Sequence, residues 1–462
     1  MMTRPAFSAT VFTVVDRAIR AGGRIILFGF AARFFSIEDA GNFAYLIFLG
    51  TMVARVSDFG MTGFLVREIP ACDFLSAHLE KMAIQIRLVG LPFAVLGSWV
   101  LAWFWEPAFG FEAAGTLAFA CAIDGSQFLA SIHRGHGRYG LAALDSAYST
   151  AAAVIAALLL VLSDSSFSTF QLGVGGSTLC VVLLRLYWVW RQRSAQASRQ
   201  VFSEARVRFF CLIAQSKWFL LGSTVAWLKF EAGVALLKHL SGESAAALYA
   251  SALKPVGVLS QSFFVFSLVF ISSLSFVFSK DRDRFFGDVN RIHLLLLAFV
   301  PFGYAACILG GKVLLAFFGE QYLNAEPILE LLAVAIIVQM AFVSPQPLLA
   351  MRKEKSANII AAVQLVSFLV LGWVLIPGHG GMGAALAMLL SSCLGKLVSI
   401  GYYIKFGLSL GGLTYLAGLL LMIVWFFSVQ LLPATIGLPL LGVGLVVGGI
   451  LTAWQLKRTR LF

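Results

Sequence analysis

Long apolar blocks alternate with short polar segments along almost the whole chain. Each block holds about 20 residues, the length that an α-helix needs to cross a hydrocarbon core of about 30 Å. The blocks lack the period-two alternation of a transmembrane β-strand, so the pattern predicts helices. About fourteen spans are predicted: 11–32, 42–65, 82–105, 113–132, 140–163, 168–190, 211–237, 245–272, 291–311, 325–350, 356–377, 381–405, 411–431 and 435–456. The chain is therefore predicted to be an all-α polytopic membrane protein.

Composition agrees with this prediction, because 60% of the residues are hydrophobic and only 12% are charged. The longest predicted loop, 191–210, is too short to fold as a catalytic domain, so we expect a transporter rather than an enzyme. The six cysteines lie singly and form no CxxC pair, which indicates neither a zinc site nor a disulfide framework. We therefore expect no metal and no cofactor apart from a coupled proton or sodium ion.

The positive residues of the predicted loops lie almost entirely on one side of the membrane. Twenty Lys and Arg residues fall at the two ends and in alternate loops, and only Arg33, Lys238 and Lys312 fall in the loops between them. Because cytoplasmic loops collect Lys and Arg, both termini are predicted to be cytoplasmic. The net charge of +12 then reflects topology and contact with anionic headgroups, so nucleic-acid binding is not expected.

Several predicted spans carry charges, which cost roughly 2.5–3.5 kcal/mol at the centre of a membrane helix and normally face a protein interior or a watery cavity. Arg24, Lys229 and Lys254 have no counter-charge at helical spacing, so they are predicted to line a cavity for an anionic substrate such as a phosphate or pyrophosphate group. Arg20 and Arg55 allow either this reading or an intrahelical ion pair, with Asp16 and Asp58 respectively. Four carboxylates are candidates for proton or sodium coupling, although structural ion pairs would explain each of them equally well. They are Asp58, Asp124, Asp145 and Glu231.

A faint internal repeat divides the chain in two. A shift of 205 residues aligns 37–41 with 242–246 and Arg24 with Lys229. Repeats of this kind predict two six-helix lobes around a central cavity, with the matched cations facing each other across it. We predict an N-terminal lobe, a basic cytoplasmic linker, a C-terminal lobe and an additional C-terminal helix pair. Their bounds are 1–190, 191–210, 211–405 and 406–462.

Ordered short motifs resemble those of a known family. The stretch 31–44 (AARFFSIEDAGNFA), followed by Ser57-Asp58-Phe59-Gly60-Met61, resembles the opening of bacterial polysaccharide flippases of the O-antigen type. Further matches are 247–254 (ALYASALK), 318–325 (FGEQYLNA) and 376–387. These flippases belong to the multidrug/oligosaccharidyl-lipid/polysaccharide exporter (MOP) superfamily, which also holds the multidrug and toxin extrusion (MATE) exporters and the lipid II flippases.

The resemblance implies alternating access and transport of an undecaprenyl-diphosphate-linked oligosaccharide for polysaccharide biosynthesis. It also implies that arginines of the first two helices, here Arg24 and Arg55, contact the substrate in the cavity. Together with Lys229, Lys254 and Arg20 they form the predicted substrate site. A lipid II flippase or a multidrug exporter of the same superfamily remains an alternative, and an integral-membrane glycosyltransferase or polymerase a more remote one. Membrane lipids, and polymerases or other assembly proteins, are the partners that the resemblance implies.

Overall fold

A computed structural model describes residues 4–69, 76–107, 109–196, 202–341, 346–351 and 353–407. This part of the chain contains helices and no β-strand. A short 3₁₀ helix at Glu320–Ala325 precedes α11. The α-helices are α1 (Arg4–Phe34), α2 (Ile37–Ser57), α3 (Met61–Glu68), α4 (Ser76–Trp105), α5 (Ala113–Gly135), α6 (Tyr139–Leu162), α7 (Phe167–Gln196), α8 (Phe202–Ser241), α9 (Glu243–Lys280), α10 (Arg282–Phe318), α11 (Glu326–Ala341), α12 (Gln346–Ala350) and α13 (Glu354–Lys405).

Eight stretches of the described residues are long and apolar enough to cross a membrane. They confirm the predicted fold class, an all-α multi-pass membrane protein. The number of crossings stays a prediction, because the last two predicted spans, 411–431 and 435–456, lie outside the described residues. The predicted linker 191–210 is helical up to Gln196 and again from Phe202, and 197–201 also lies outside the described part.

The second predicted helix, 42–65, is in fact two helices. Helix α2 begins after Ser36, whose Oγ accepts a hydrogen bond from the backbone N–H of Asp39 at 3.0 Å. It ends at Ser57, and the chain turns through Phe59 and Gly60, which both have positive φ. Helix α3 then starts at Met61, and the Asp58 carboxylate accepts a hydrogen bond from the N–H of Thr62 at 3.0 Å. Asp58 therefore lies at a helix end, where its side chain satisfies a backbone donor.

Helix α13 also contains a break, at Gly380, where φ is 52° and ψ is −131°. This dihedral pair is open to glycine and costly for a residue with a Cβ atom. The break falls between the predicted spans 356–377 and 381–405, so the long helix accounts for both of them.

The structure forms two compact units, Arg4–Ala247 and Leu248 onward. In the first unit α5 is the central helix, buried along nearly its whole length and packed against α2, α6 and α7. In the second unit α11 packs on α10 and α13. The predicted division into lobes at 190–211 remains a prediction.

Lys238, near the end of α8, connects this helix to other parts of the first unit through an ion pair and a hydrogen bond. The buried Lys238 Nζ lies 2.5 Å from Glu106 Oε2, donates to Asn42 Oδ1 at 2.7 Å and sits 4.0 Å from the centre of the Phe109 ring. A buried cation needs a counter-charge and further favourable contacts, and the carboxylate, the amide oxygen and the aromatic ring supply them. Lys238, which the sequence analysis placed in a predicted loop, thus lies inside α8, and its contacts are those of a structural residue.

Candidate functional site

Four helices of the first unit bring charged residues together around Arg24. The Arg24 side chain, on α1, is partly buried. It interacts electrostatically with Glu231 on α8, then with Arg55 on α2 and Asp124 on α5. Glu231 and Asp124 attract the guanidinium and Arg55 repels it. The sequence analysis named Arg24 and Arg55 as substrate residues and Asp124 and Glu231 as coupling candidates, and in the structure Arg24 interacts with the other three. A shared cavity stays a prediction.

Arg55 reaches α8 through an aromatic contact rather than through a carboxylate. Its guanidinium carbon lies 5.6 Å from the centre of the Trp227 ring, which stacks on Phe48 at 5.3 Å. The Arg55 Nε is buried and has no hydrogen-bond partner among the described residues. A cation held by a ring keeps donors available for an anion.

Asp58 and Asp124 converge on Arg87 of α4. The Arg87 guanidinium forms an ion pair with Asp124, lies 4.0 Å from Asp58 Oδ1 and donates to the Ala54 carbonyl at 3.1 Å. The three charged side chains are almost fully buried, with exposed fractions of 2–8%. The cluster holds two carboxylates for one guanidinium, and Asp58 Oδ1 has no hydrogen-bond partner in the described part of the chain. The alternative reading of an Arg55–Asp58 pair is therefore not the arrangement that forms.

Arg20 takes part in the intrahelical pair that the sequence left open. It forms an ion pair with the buried Asp16, whose other oxygen accepts a hydrogen bond from Ser146 Oγ at 2.5 Å. Arg134 of α5 lies 3.8 Å from the same carboxylate. Asp16 thus joins α1 to α5 and α6, and Arg20 is engaged by a protein carboxylate.

Asp145 is held by two basic side chains from neighbouring helices. Arg185 of α7 donates to Asp145 Oδ1 through Nε at 2.9 Å and through Nη2 at 2.5 Å. His133 Nε2 lies 3.0 Å from Asp145 Oδ2. The Arg185 guanidinium also covers the rings of Tyr148 and Trp188, at 5.4 and 5.0 Å. A carboxylate with two basic neighbours has the surroundings of a structural ion pair.

The two predicted lysines lie in different units. Lys229 is on α8, seven residues after Gly222, and only 3% of its surface is exposed. Lys254 is on α9 just before Pro255, in the second unit, and is partly buried. A cavity role for both lysines stays a prediction.

A groove lies between α2 and α8. It has a volume of about 510 Å³ and is lined almost entirely by apolar atoms of Val56, Leu220, Leu221 and Thr224, with Lys217 at one end. Separately, the described residues contain no group of three or more His, Cys, Asp or Glu side chains that could hold a metal ion.

Arg87, Arg185 and His133 were not singled out from the sequence. Each is a basic residue within or at the end of an apolar block, and its partner lies on a different helix, so no helical spacing connects the two. The sequence signal that could have identified Arg87 is its position as an isolated basic residue inside a predicted span.

Comparison with solved structures shows which known proteins share this fold. Over 97% of this chain and 99% of the other, it is similar to the lipid II flippase MurJ in an inward closed conformation, with 15% identity and a TM-score of 0.59. A MOP superfamily transporter from Pyrococcus furiosus, whose binding pocket is described as having reverse polarity, matches with 13% identity and a TM-score of 0.61, over 86% and 95% of the two chains.

An outward-facing multidrug resistance MATE transporter matches with 13% identity and a TM-score of 0.62, over 90% and 96% of the two chains. No protein-family model and no curated protein matches the sequence. The chain therefore has the fold of MOP superfamily transporters, as the resemblance implied. The three solved structures named above are a flippase and two transporters.

Proposed function

We propose that this protein moves an undecaprenyl-diphosphate-linked oligosaccharide from the cytoplasmic to the periplasmic leaflet of a bacterial inner membrane by alternating access. The observation that carries the proposal is the pair Arg24 and Arg55, two partly buried arginines of which Arg55 rests on a tryptophan ring with its Nε unpaired. A guanidinium presents a fork of donors that matches the oxygens of a phosphate. Both termini are then cytoplasmic, and polysaccharide assembly enzymes are the expected partners.

The surroundings of the carboxylates support an anionic substrate over a cationic drug. Asp16, Asp124 and Asp145 each form an ion pair with an arginine of the same unit. A drug cation would have to displace these arginines, and a buried arginine deprived of its partner is costly. A lipid II flippase shares the diphosphate chemistry, so it differs from the proposed function only in the sugar.

We further propose that Asp58 and Asp124 couple transport to protons or sodium ions. With two carboxylates for one Arg87 guanidinium, their cluster carries an excess negative charge that a proton or a sodium ion would neutralise. Because Asp124 also interacts with Arg24, a change of charge in the cluster alters the field at the substrate site. Asp145 and Glu231 are further candidates: Asp145 already has two basic neighbours, and Glu231 acts directly on Arg24.

The test is transport by the purified protein in liposomes, measured as delivery of a fluorescent undecaprenyl-diphosphate oligosaccharide to the opposite leaflet. Arg24→Ala and Lys229→Ala should each abolish delivery without lowering membrane insertion. Arg33→Ala is the matched control, since Arg33 ends the same helix with an exposed side chain and delivery should persist. Arg24→Lys should be milder if bulk charge suffices, and equally severe if a two-pronged hydrogen bond is required.

The coupling proposal has its own measurement in the same liposomes. Delivery should depend on a proton or sodium gradient, and Asp58→Asn should remove that dependence. Unchanged delivery in Arg24→Ala and Lys229→Ala would contradict the substrate site. Delivery of lipid II in preference to other lipid-linked sugars would favour the lipid II flippase, and export of a soluble cationic drug instead would overturn the substrate class.

A further inference from the structure

The groove between α2 and α8 lies along one face of α8. Lys217, Leu221 and Thr224 recur at spacings of three and four residues, and Val56 of α2 closes the opposite side. Leu221 and Val56 are large apolar residues that are 45% and 49% exposed. The groove volume of about 510 Å³ falls within the range of about 300–1,000 Å³ typical of ligand pockets.

The same face of α8 continues from the groove into the charged site. Trp227, on which Arg55 rests, follows Thr224 by three residues, and Glu231 follows by seven. At 1.5 Å per residue, Thr224 and Glu231 are about 10 Å apart along the helix, and so are Lys217 and Thr224. Arg55 is also the neighbour in sequence of Val56, which lines the groove. The proposed anion-binding site and the apolar groove thus follow one another along a single helix face.

We propose that this groove holds the part of the polyprenyl chain next to the diphosphate while Arg24 and Arg55 hold the diphosphate itself. This proposal rests on the proposed function. The charge pattern suits such an amphiphile. Arg55 lies against Trp227, one helical turn beyond Thr224, and the groove walls are apolar. Lys217 is the lining residue of α8 farthest in sequence from Trp227, and its aliphatic stem adds apolar surface. Thr224, whose Oγ1 is buried with no hydrogen-bond partner among the described residues, is the lining residue of α8 nearest in sequence to Trp227.

The volume of the groove determines how many isoprene units of the polyprenyl chain fit into it. An apolar cavity of about 150 Å³ takes one benzene molecule, so a groove more than three times larger accommodates about 20 carbon atoms, or about four isoprene units. Binding should therefore strengthen as the prenyl chain lengthens to that size and then level off, because further units lie outside the groove.

The experiment measures binding of geranyl, farnesyl, geranylgeranyl and undecaprenyl diphosphates to the full-length protein in detergent, by competition with a fluorescent prenyl diphosphate. Affinity should rise up to geranylgeranyl diphosphate and then stay constant. Leu221→Trp should shorten the groove and weaken the binding of geranylgeranyl diphosphate about tenfold. This is the loss of affinity expected when about two methylene groups are no longer buried. The same substitution should leave the binding affinity of geranyl diphosphate unchanged.

Leu158→Trp is the matched control, because Leu158 is a similarly exposed leucine on α6, and its chain-length profile should equal that of the wild type. An unchanged profile in Leu221→Trp, in protein that inserts and melts like the wild type, would overturn the groove assignment and leave the flippase proposal standing. So would equal binding of inorganic pyrophosphate and all four prenyl diphosphates. Failure of every diphosphate to bind the wild type would overturn both proposals.

Discussion

Replacing Arg87 by methionine tests whether one buried guanidinium holds together the start of α3, α4 and α5. Methionine keeps much of the length of the side chain and removes its charge. Asp124 then loses its ion-pair partner, Asp58 loses the cation 4.0 Å away, and the Ala54 carbonyl loses a donor. Breaking a buried pair by removing one partner costs about 3–5 kcal/mol, because the remaining charge is left uncompensated.

This loss should be visible as a lower melting temperature. The cluster belongs to a unit of about 240 residues, and for domains of that size each kcal/mol shifts the midpoint by about 2 °C. We therefore expect Arg87→Met to melt about 6–10 °C below the wild type when the protein is heated in detergent and the folded fraction is read by fluorescence size-exclusion chromatography. Arg191→Met serves as the control, since Arg191 is exposed near the end of α7.

A double variant separates lost charge compensation from lost packing. Asp124→Leu combined with Arg87→Met removes both members of the closest pair, and replacing a buried pair by apolar residues is often nearly neutral. The double variant should therefore melt above Arg87→Met alone. Two results would show that Arg87 does not compensate buried carboxylates. One is a melting temperature of the double variant below that of Arg87→Met, and the other is a melting temperature of Arg87→Met equal to that of the wild type.

Substitutions at three further positions test other parts of the structure. Lys238→Met should lower the melting temperature by several degrees, because it leaves Glu106 without its partner. Lys238→Arg should lower it less. Equal melting temperatures of Lys238→Met and the wild type would contradict the role of this ion pair. Gly41→Ala should destabilise by about 1–3 kcal/mol, since an added Cβ would lie 2.2 Å from the Glu243 carbonyl oxygen. Gly380→Ala should destabilise by a similar amount through its backbone dihedrals, and unchanged melting would show that the chain there tolerates a Cβ atom.

The fold class was predictable because it depends on local quantities, namely the length and the hydrophobicity of each apolar block. The break at Gly380 also agreed with the predicted boundary, since Gly and Pro punctuate that stretch. The break in the second helix was not predicted. A three-residue turn at 58–60 hardly interrupts a hydrophobic pattern that reads as one span, and only the dihedrals of Phe59 and Gly60 reveal it.

The candidate site was predictable in part, for a physical reason. A charge in an apolar block stands out, so Arg24, Arg55 and Asp124 were found. Their partners could be read from sequence only where both residues share a helix, as in the Asp16–Arg20 pair. The partner of Asp124 lies 37 residues earlier in the chain, on another helix, and packing alone brings the two together.

The arrangement of charges around Arg24 has a consequence for the proposed transport. A flippase must bind an anion and also release it, so a site made only of arginines would hold a diphosphate too firmly. In the proposed mechanism, Glu231 and Asp124 would attract Arg24 when no substrate is present and would compete with the diphosphate when it is. Because Asp124 also pairs with Arg87 beside Asp58, a proton or sodium ion taken up by that cluster would weaken the competing carboxylate and favour the substrate. Loss of the ion would favour release. Substrate binding and ion binding would thereby be linked through two arginines, Arg24 and Arg87, and two carboxylates, Asp124 and Asp58, with no need for contact between substrate and ion.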